Sequence, residues 1–96
     1  PGTSQTPDLL LCAALAVRDA GLTMEEAILG VSAHAAQAIG LSDNRGTLAV
    51  GAPADLAIFA ASDPRALVYQ LGGMFADKVI IGGEVRASDL NASAIW

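Results

Sequence analysis

Apolar positions follow two different rhythms along this chain. No charged residue interrupts the stretch from Leu9 to Val17, which stops at Arg18 and Asp19. Ahead of it, Thr6 suits an N-cap, Pro7 the first helical position and Asp8 the positive end of a helix dipole. The pattern predicts a helix from about Pro7 to Ala20, stopped by Gly21. It is apolar nearly all round, so it is expected to be largely buried. Thr23 and Glu26 have the spacing of a capping box, each side chain able to bond the other's backbone amide. That opens a helix from about Met24 to Gly30. Ser32 is expected to cap a further helix from Ala33 to Ile39, with Gly40 ending it. The first forty residues therefore read as three helices joined by very short turns.

After Leu41 the rhythm changes. Ser42-Asp43-Asn44-Arg45-Gly46 is rich in turn formers. Thr47 to Val50 alternates as a short half-buried strand would, with Leu48 and Val50 on one face. Gly51-Ala52-Pro53 reads as a turn and Asp55 to Ala60 as a strand. Leu56-Ala57-Ile58-Phe59 is apolar on both sides, the mark of a central strand covered on both faces. Asp55, at its mouth, is placed to accept hydrogen bonds from turn amides that lack a ladder partner, a structural role. Asp63-Pro64 starts a helical turn to about Gln70. Lys78 to Ile81 and Glu84 to Arg86 flank Gly82-Gly83, a pair that can take positive φ at both positions of a hairpin turn. The fold class expected is α+β, in three parts: helical over 1–41, short β-strands over 42–87, and a tail over 88–96.

Composition sharpens this picture. Hydrophobic residues make up 53% of the 96, against 16% charged, where an average soluble domain carries about 25% charge. About a fifth of the chain is Ala, which dilutes the surplus. The larger apolar residues still imply surface meant to be covered by something else, and the expectation is self-association through it. A net charge of −5 with only five scattered basic residues excludes a nucleic-acid partner. The longest apolar run is far short of the roughly 20 residues that span a bilayer, so no membrane role is expected. The single Cys12 permits no disulfide within one chain and is expected to be a buried structural thiol, consistent with cytoplasmic residence.

The combination Gly46-x-Leu48-x-x-Gly51-x-x-Ala54-Asp55-Leu56-x-Ile58, with Val79-Ile80-Ile81-Gly82-Gly83-Glu84-Val85 downstream, resembles the C-terminal signature of the amidohydrolase superfamily. The segment GVSAHAAQAIGL fits that superfamily's last helices. Such enzymes are metal-dependent hydrolases with a TIM-like barrel, whose last strands complete a small β-sandwich begun by the first ones. The resemblance implies that residues 1–41 are the last helices of the barrel and 42–87 part of the sandwich. The opening Pro1-Gly2-Thr3-Ser4 resembles the end of the Asp-x-Asn-Pro-Gly-Ser/Thr loop of the imidazolonepropionase family, and Pro64 to Gly72 resembles its Pro-x-x-Leu-x-Tyr-x-x-Gly segment. That family opens the ring of 4-imidazolone-5-propanoate to give N-formimidoyl-glutamate in histidine degradation. It would make Gly2 and Thr3 substrate-binding. The sequence departs from the family at His34, where Asn is frequent, and at Ala52, where Lys commonly follows the glycine.

The implied reaction uses a divalent metal, zinc or iron in the full-length enzyme, to generate hydroxide from bound water. Such sites take several His ligands and a carboxylate. This chain has one His, His34, without a second ligand at helical spacing, so no catalytic residue, metal ligand or cofactor is expected within it. The expectation is the C-terminal piece of a longer hydrolase that is inactive alone, its small-molecule substrate belonging to the full-length enzyme. Two alternatives stay open. One is a piece of another amidohydrolase, a cyclic amidase or deaminase; the other is a stand-alone α+β interaction module.

Overall fold

The structure, a computed structural model, describes residues 8–88. Helix α1 spans Leu9–Asp19, α2 Met24–Gly30 and α3 Ala33–Ala38; strand β1 spans Leu56–Ile58; helix α4 spans Ala66–Tyr69; strands β2 and β3 span Lys78–Ile81 and Glu84–Ser88. The α+β class is as expected. The cap of α1 is Asp8, whose Oδ1 accepts from the Leu11 amide at 3.0 Å. An aspartate caps as well as a serine, so the helix begins later than predicted; Thr6 and Pro7 lie outside the described residues. At the far end the Leu22 amide donates to the Ala16 carbonyl at 3.2 Å.

The two helices that follow are set by local chemistry. The capping box of α2 forms as predicted: the Glu26 amide donates to Thr23 Oγ1 at 3.1 Å and the Thr23 amide to Glu26 Oε1 at 2.8 Å. These bonds hold the Glu26 carboxyl below its ordinary pKa. Ser32 does stand at the start of α3, but its hydroxyl donates back to the Ile28 carbonyl at 2.6 Å and caps nothing. With only two residues between α2 and α3, the last carbonyls of α2 are the nearer partner. Helix α3 closes as expected, Gly40 donating to Gln37 and Leu41 to Ala36, both at 3.0 Å.

Ala13, Ala27 and Val68 form the centre of the core, with Val17, Leu22, Met24, Ile28 and Val31 packed around them. Val68 belongs to α4, so the chain returns from the sheet to complete the helical layer. The buried residues among those described are five alanines and this valine. Small residues let the helices approach closely, but each removes little apolar area from water.

The sheet is antiparallel in the order β1-β2-β3. Leu56 faces Ile80, and Ile80 faces Val85; Ala57 faces Val79, and Val79 faces Ala87. A bulge between Val79 and Ile80 shifts the register by one residue. Two expectations are corrected here. β1 is an edge strand, and Ala57 and Ile58 are exposed. Its two-sided apolar pattern is real, but the residues that would cover it are not among those described. Thr47 to Val50 forms no strand, with Leu48 87% and Val50 104% exposed.

Candidate functional site

The residues of the Gly46-to-Ile58 signature converge on one junction. Its lower half is a tight approach of backbone to backbone. Gly46 has φ +83°, and a Cβ there would lie 2.6 Å from the Ser32 carbonyl oxygen and 2.7 Å from its carbon. Only glycine combines that φ with that approach. The loop is thereby seated on the start of α3.

The upper half is a docked hairpin. Gly82 and Gly83, at φ +61° and +82°, make the two-residue turn between β2 and β3. The Gly82 amide donates to Asp55 Oδ1 at 2.9 Å, and the Gly83 amide to the Ala54 carbonyl at 3.0 Å. The other Asp55 oxygen lies 4.0 Å from Arg45 Nε, which also pairs with Asp43 at 3.1 Å. Asp55 is therefore structural, as expected, but the turn it satisfies is the hairpin's, not its own Gly-Ala-Pro turn. Its partner stands 27 residues away, so no local pattern could have named it.

Beside α3 is a crevice of about 80 Å³, lined by Ala33, Gln37, Leu41, Ser42, Asn44, Arg45 and Thr47. It is too small for a substrate the size of an imidazolone acid. His34 is exposed on α3. Among the described residues, no three His, Cys, Asp or Glu side chains come together as a metal site would need. The donor set does not fit a catalytic metal, and no step through one is assigned to these residues. Gly2 and Thr3 lie outside the described residues. Cys12 is exposed, contrary to expectation. α1 buries the side carrying Ala13 and Ala14, which turns Cys12 outward; an all-round apolar run could not reveal which side would be chosen.

The ion pairs visible elsewhere, Asp63 with Arg65 and Glu84 with Arg86, join residues two apart on exposed surface. The first shapes the turn before α4, the second lies along β3, and neither brings a titratable group into a cleft. The junction is thus a piece of scaffold, and its meaning comes from comparison. The model of the amidohydrolase family matches residues 3–86. The chain belongs to the amidohydrolase family.

Three of its relatives carry the name imidazolonepropionase. That of Sphingopyxis alaskensis is 49% identical over 72 residues, covering 75% of this chain and 18% of the relative. That of Serratia proteamaculans is 44% identical over 86 residues, covering 90% and 21%, and that of a Polaromonas species 39% identical over 90 residues, covering 94% and 21%. This amidohydrolase chain spans about a fifth of the length of these curated relatives. Its junction, with Gly46, Asp55 and Gly82, lies within the segment that the family model matches. No helix among the described residues is long and apolar enough to cross a membrane.

Proposed function

We propose that this chain is the C-terminal part of an imidazolonepropionase-like enzyme, which hydrolyses the cyclic amide of 4-imidazolone-5-propanoate to N-formimidoyl-glutamate in the cytoplasm. The observation that supports this most strongly is the 39–49% identity to proteins of that name across most of the chain. Residues 1–41 supply the last helices of its TIM-like barrel, residues 42–87 part of a composite β-sandwich, and 88–96 a tail. In this reading Gly2 and Thr3 contact substrate, backbone amides ahead of α1 suiting a propanoate carboxylate. The zinc or iron of the full-length enzyme is held by residues outside this chain.

The isolated chain has no hydrolytic machinery of its own, and it associates with itself through surface that the rest of the enzyme would cover. Leu48, Val50, Ile39 and Tyr69, all more than three-quarters exposed, support this. The test is a direct assay. The full-length enzyme, incubated with 4-imidazolone-5-propanoate, is expected to form N-formimidoyl-glutamate, while the 96-residue chain forms none. A full-length enzyme inert on this substrate but active on another cyclic amide would overturn the reading.

A further inference from the structure

The turn that leaves α4 is built more firmly than a connection to β2 requires. Gly72 and Gly73 stand in succession at φ +85° and +73°, a conformation that glycine alone adopts at little cost. The Gly72 amide donates to the Gln70 carbonyl at 3.1 Å, and Gln70 Nε2 donates to the Gly72 carbonyl at 3.0 Å. Gln70 thus holds both the amide and the carbonyl of Gly72. Gln70, Leu71 and Gly73 are exposed, whereas Gly72 is half-buried. Gly72 is therefore the point at which this turn meets the rest of the fold.

What it meets is the cap of α1. α4 packs chiefly on α1, which brings Gly72 to the Asp8 carboxylate. A Cβ added to Gly72 would stand 3.9 Å from Asp8 Oδ2, in ordinary van der Waals contact. Through Oδ1 the same carboxylate holds the Leu11 amide at 3.0 Å. Asp8 thus stands between the first turn of α1 and the Gln70–Gly73 turn, and it is where the chain carrying Gly2 and Thr3 joins the helix. We propose that the Gln70–Gly73 turn is a positioning element for substrate binding. Set against the Asp8 cap, it fixes where the backbone of Gly2 and Thr3 is presented, and Gly72 is its positioning residue. The inference rests on the reading of Gly2 and Thr3 as substrate contacts. Displacing such contacts weakens ground-state and transition-state binding alike, which raises KM and leaves kcat nearly unchanged.

The experiment compares Gly72→Ala with Gly21→Ala in the full-length enzyme. Both place a side chain at positive φ, +85° and +76°, and neither Cβ meets an atom of the chain nearer than 3.9 Å. The backbone strain is matched, but Gly21 lies beyond the other end of α1. Two readouts are taken: KM and kcat on 4-imidazolone-5-propanoate, and hydrogen exchange, without substrate, of the peptide covering residues 2–11. Gly72→Ala is expected to raise KM about fivefold with kcat within about twofold, and to speed exchange in that peptide several-fold. Gly21→Ala should move neither. Gln70→Leu removes an exposed side-chain donor without adding strain, and is expected to shift both readouts the same way by a smaller factor. Unchanged exchange in Gly72→Ala and Gln70→Leu overturns the inference, and so does an equal shift in Gly21→Ala. Faster exchange at an unchanged KM overturns the link to substrate binding. A wild-type enzyme inert on this substrate, whose exchange still responds to Gly72→Ala, sinks the substrate assignment alone.

Discussion

The helical layer and the sheet of this chain solve the same problem with unequal means. The helices close on a core of their own: Ala13 and Ala27 against Val68, ringed by five larger apolar residues. The sheet has apolar residues on both faces, and among the described residues no helix packs broadly upon either. What holds the sheet in place is a set of point attachments: Gly46 on Ser32, Asp55 on Gly82 and Ala54 on Gly83. A layer held by burial loses stability in proportion to the area removed. A layer held at points fails when one point is displaced.

That contrast makes Gly46 the position of greatest expected effect. Gly46→Ala forces a non-glycine residue to φ +83° and sets a Cβ 2.6 Å from a backbone oxygen that has no flexible end to swing aside. The left-handed conformation alone costs about 1–2 kcal/mol, and relief of the clash must move the loop off α3. A loss of about 3 kcal/mol or more is expected in urea unfolding. A loss below about 1 kcal/mol would mean that the loop does not rest on Ser32.

A pair of valines then separates the two layers directly. Val68 is 8% exposed in the helical core and Val85 59% exposed on β3. Val68→Ala is expected to cost the chain about 2 kcal/mol, two methyl groups plus part of a cavity. Val85→Ala should cost under about 0.5 kcal/mol. Equal costs would show that the sheet has cover within the chain, and the contrast between layers would collapse.

The same contrast decides what could be read in advance. The capping box of α2, the closure of α3 at Gly40 and the Gly82-Gly83 turn were legible, because each is settled within four or five residues. So was the α+β order, since the change of rhythm at Leu41 is a property of the sequence itself. Three readings failed for one shared reason. The burial of Cys12, the partner of Asp55 and the strand at Thr47–Val50 all depend on residues far along the chain, or on cover that the described residues do not supply. Ser32 failed differently: two partners competed for one hydroxyl, and the nearer carbonyl won. As to the site, the Arg45–Asp55–Gly82 junction needed coordinates, since its members stand up to 37 residues apart in the sequence.

Asp55 tests the point attachment at intermediate strength. Asp55→Ala removes the acceptor of the Gly82 amide and is expected to cost about 1 kcal/mol. The decisive readout is local: hydrogen exchange at Gly82 should accelerate several-fold, while the amides of α2 keep their protection. Asp55→Asn keeps an acceptor oxygen and should restore much of the Gly82 protection. Should exchange rise equally in α2 and at Gly82, the junction would be part of one cooperative unit and no separate tether.

The smallest effect belongs to the turn that carries the chain from the sheet back to the helical layer. Asp63 there accepts from the Arg65 guanidinium, Nη2 at 2.6 Å and Nε at 3.0–3.1 Å, and from the Arg65 amide at 2.9 Å. These bonds stabilise its charged form, led by the guanidinium, and lower its pKa from 3.8 to about 2. A carboxyl depressed on folding stabilises the turn above its unfolded pKa, and that contribution fades as pH falls through the folded value. The loss should therefore run from about pH 4 to below pH 2, and nothing should change between pH 5 and 8. An NMR titration of the Asp63 carboxyl is expected to centre near 2, to rise in Arg65→Gln, and to rise partway in high salt because the pair is exposed. A wild-type midpoint in the ordinary carboxylate range would show that the turn is not held by Arg65. The entry of α4, and with it the placement of Val68, would then depend on core packing alone.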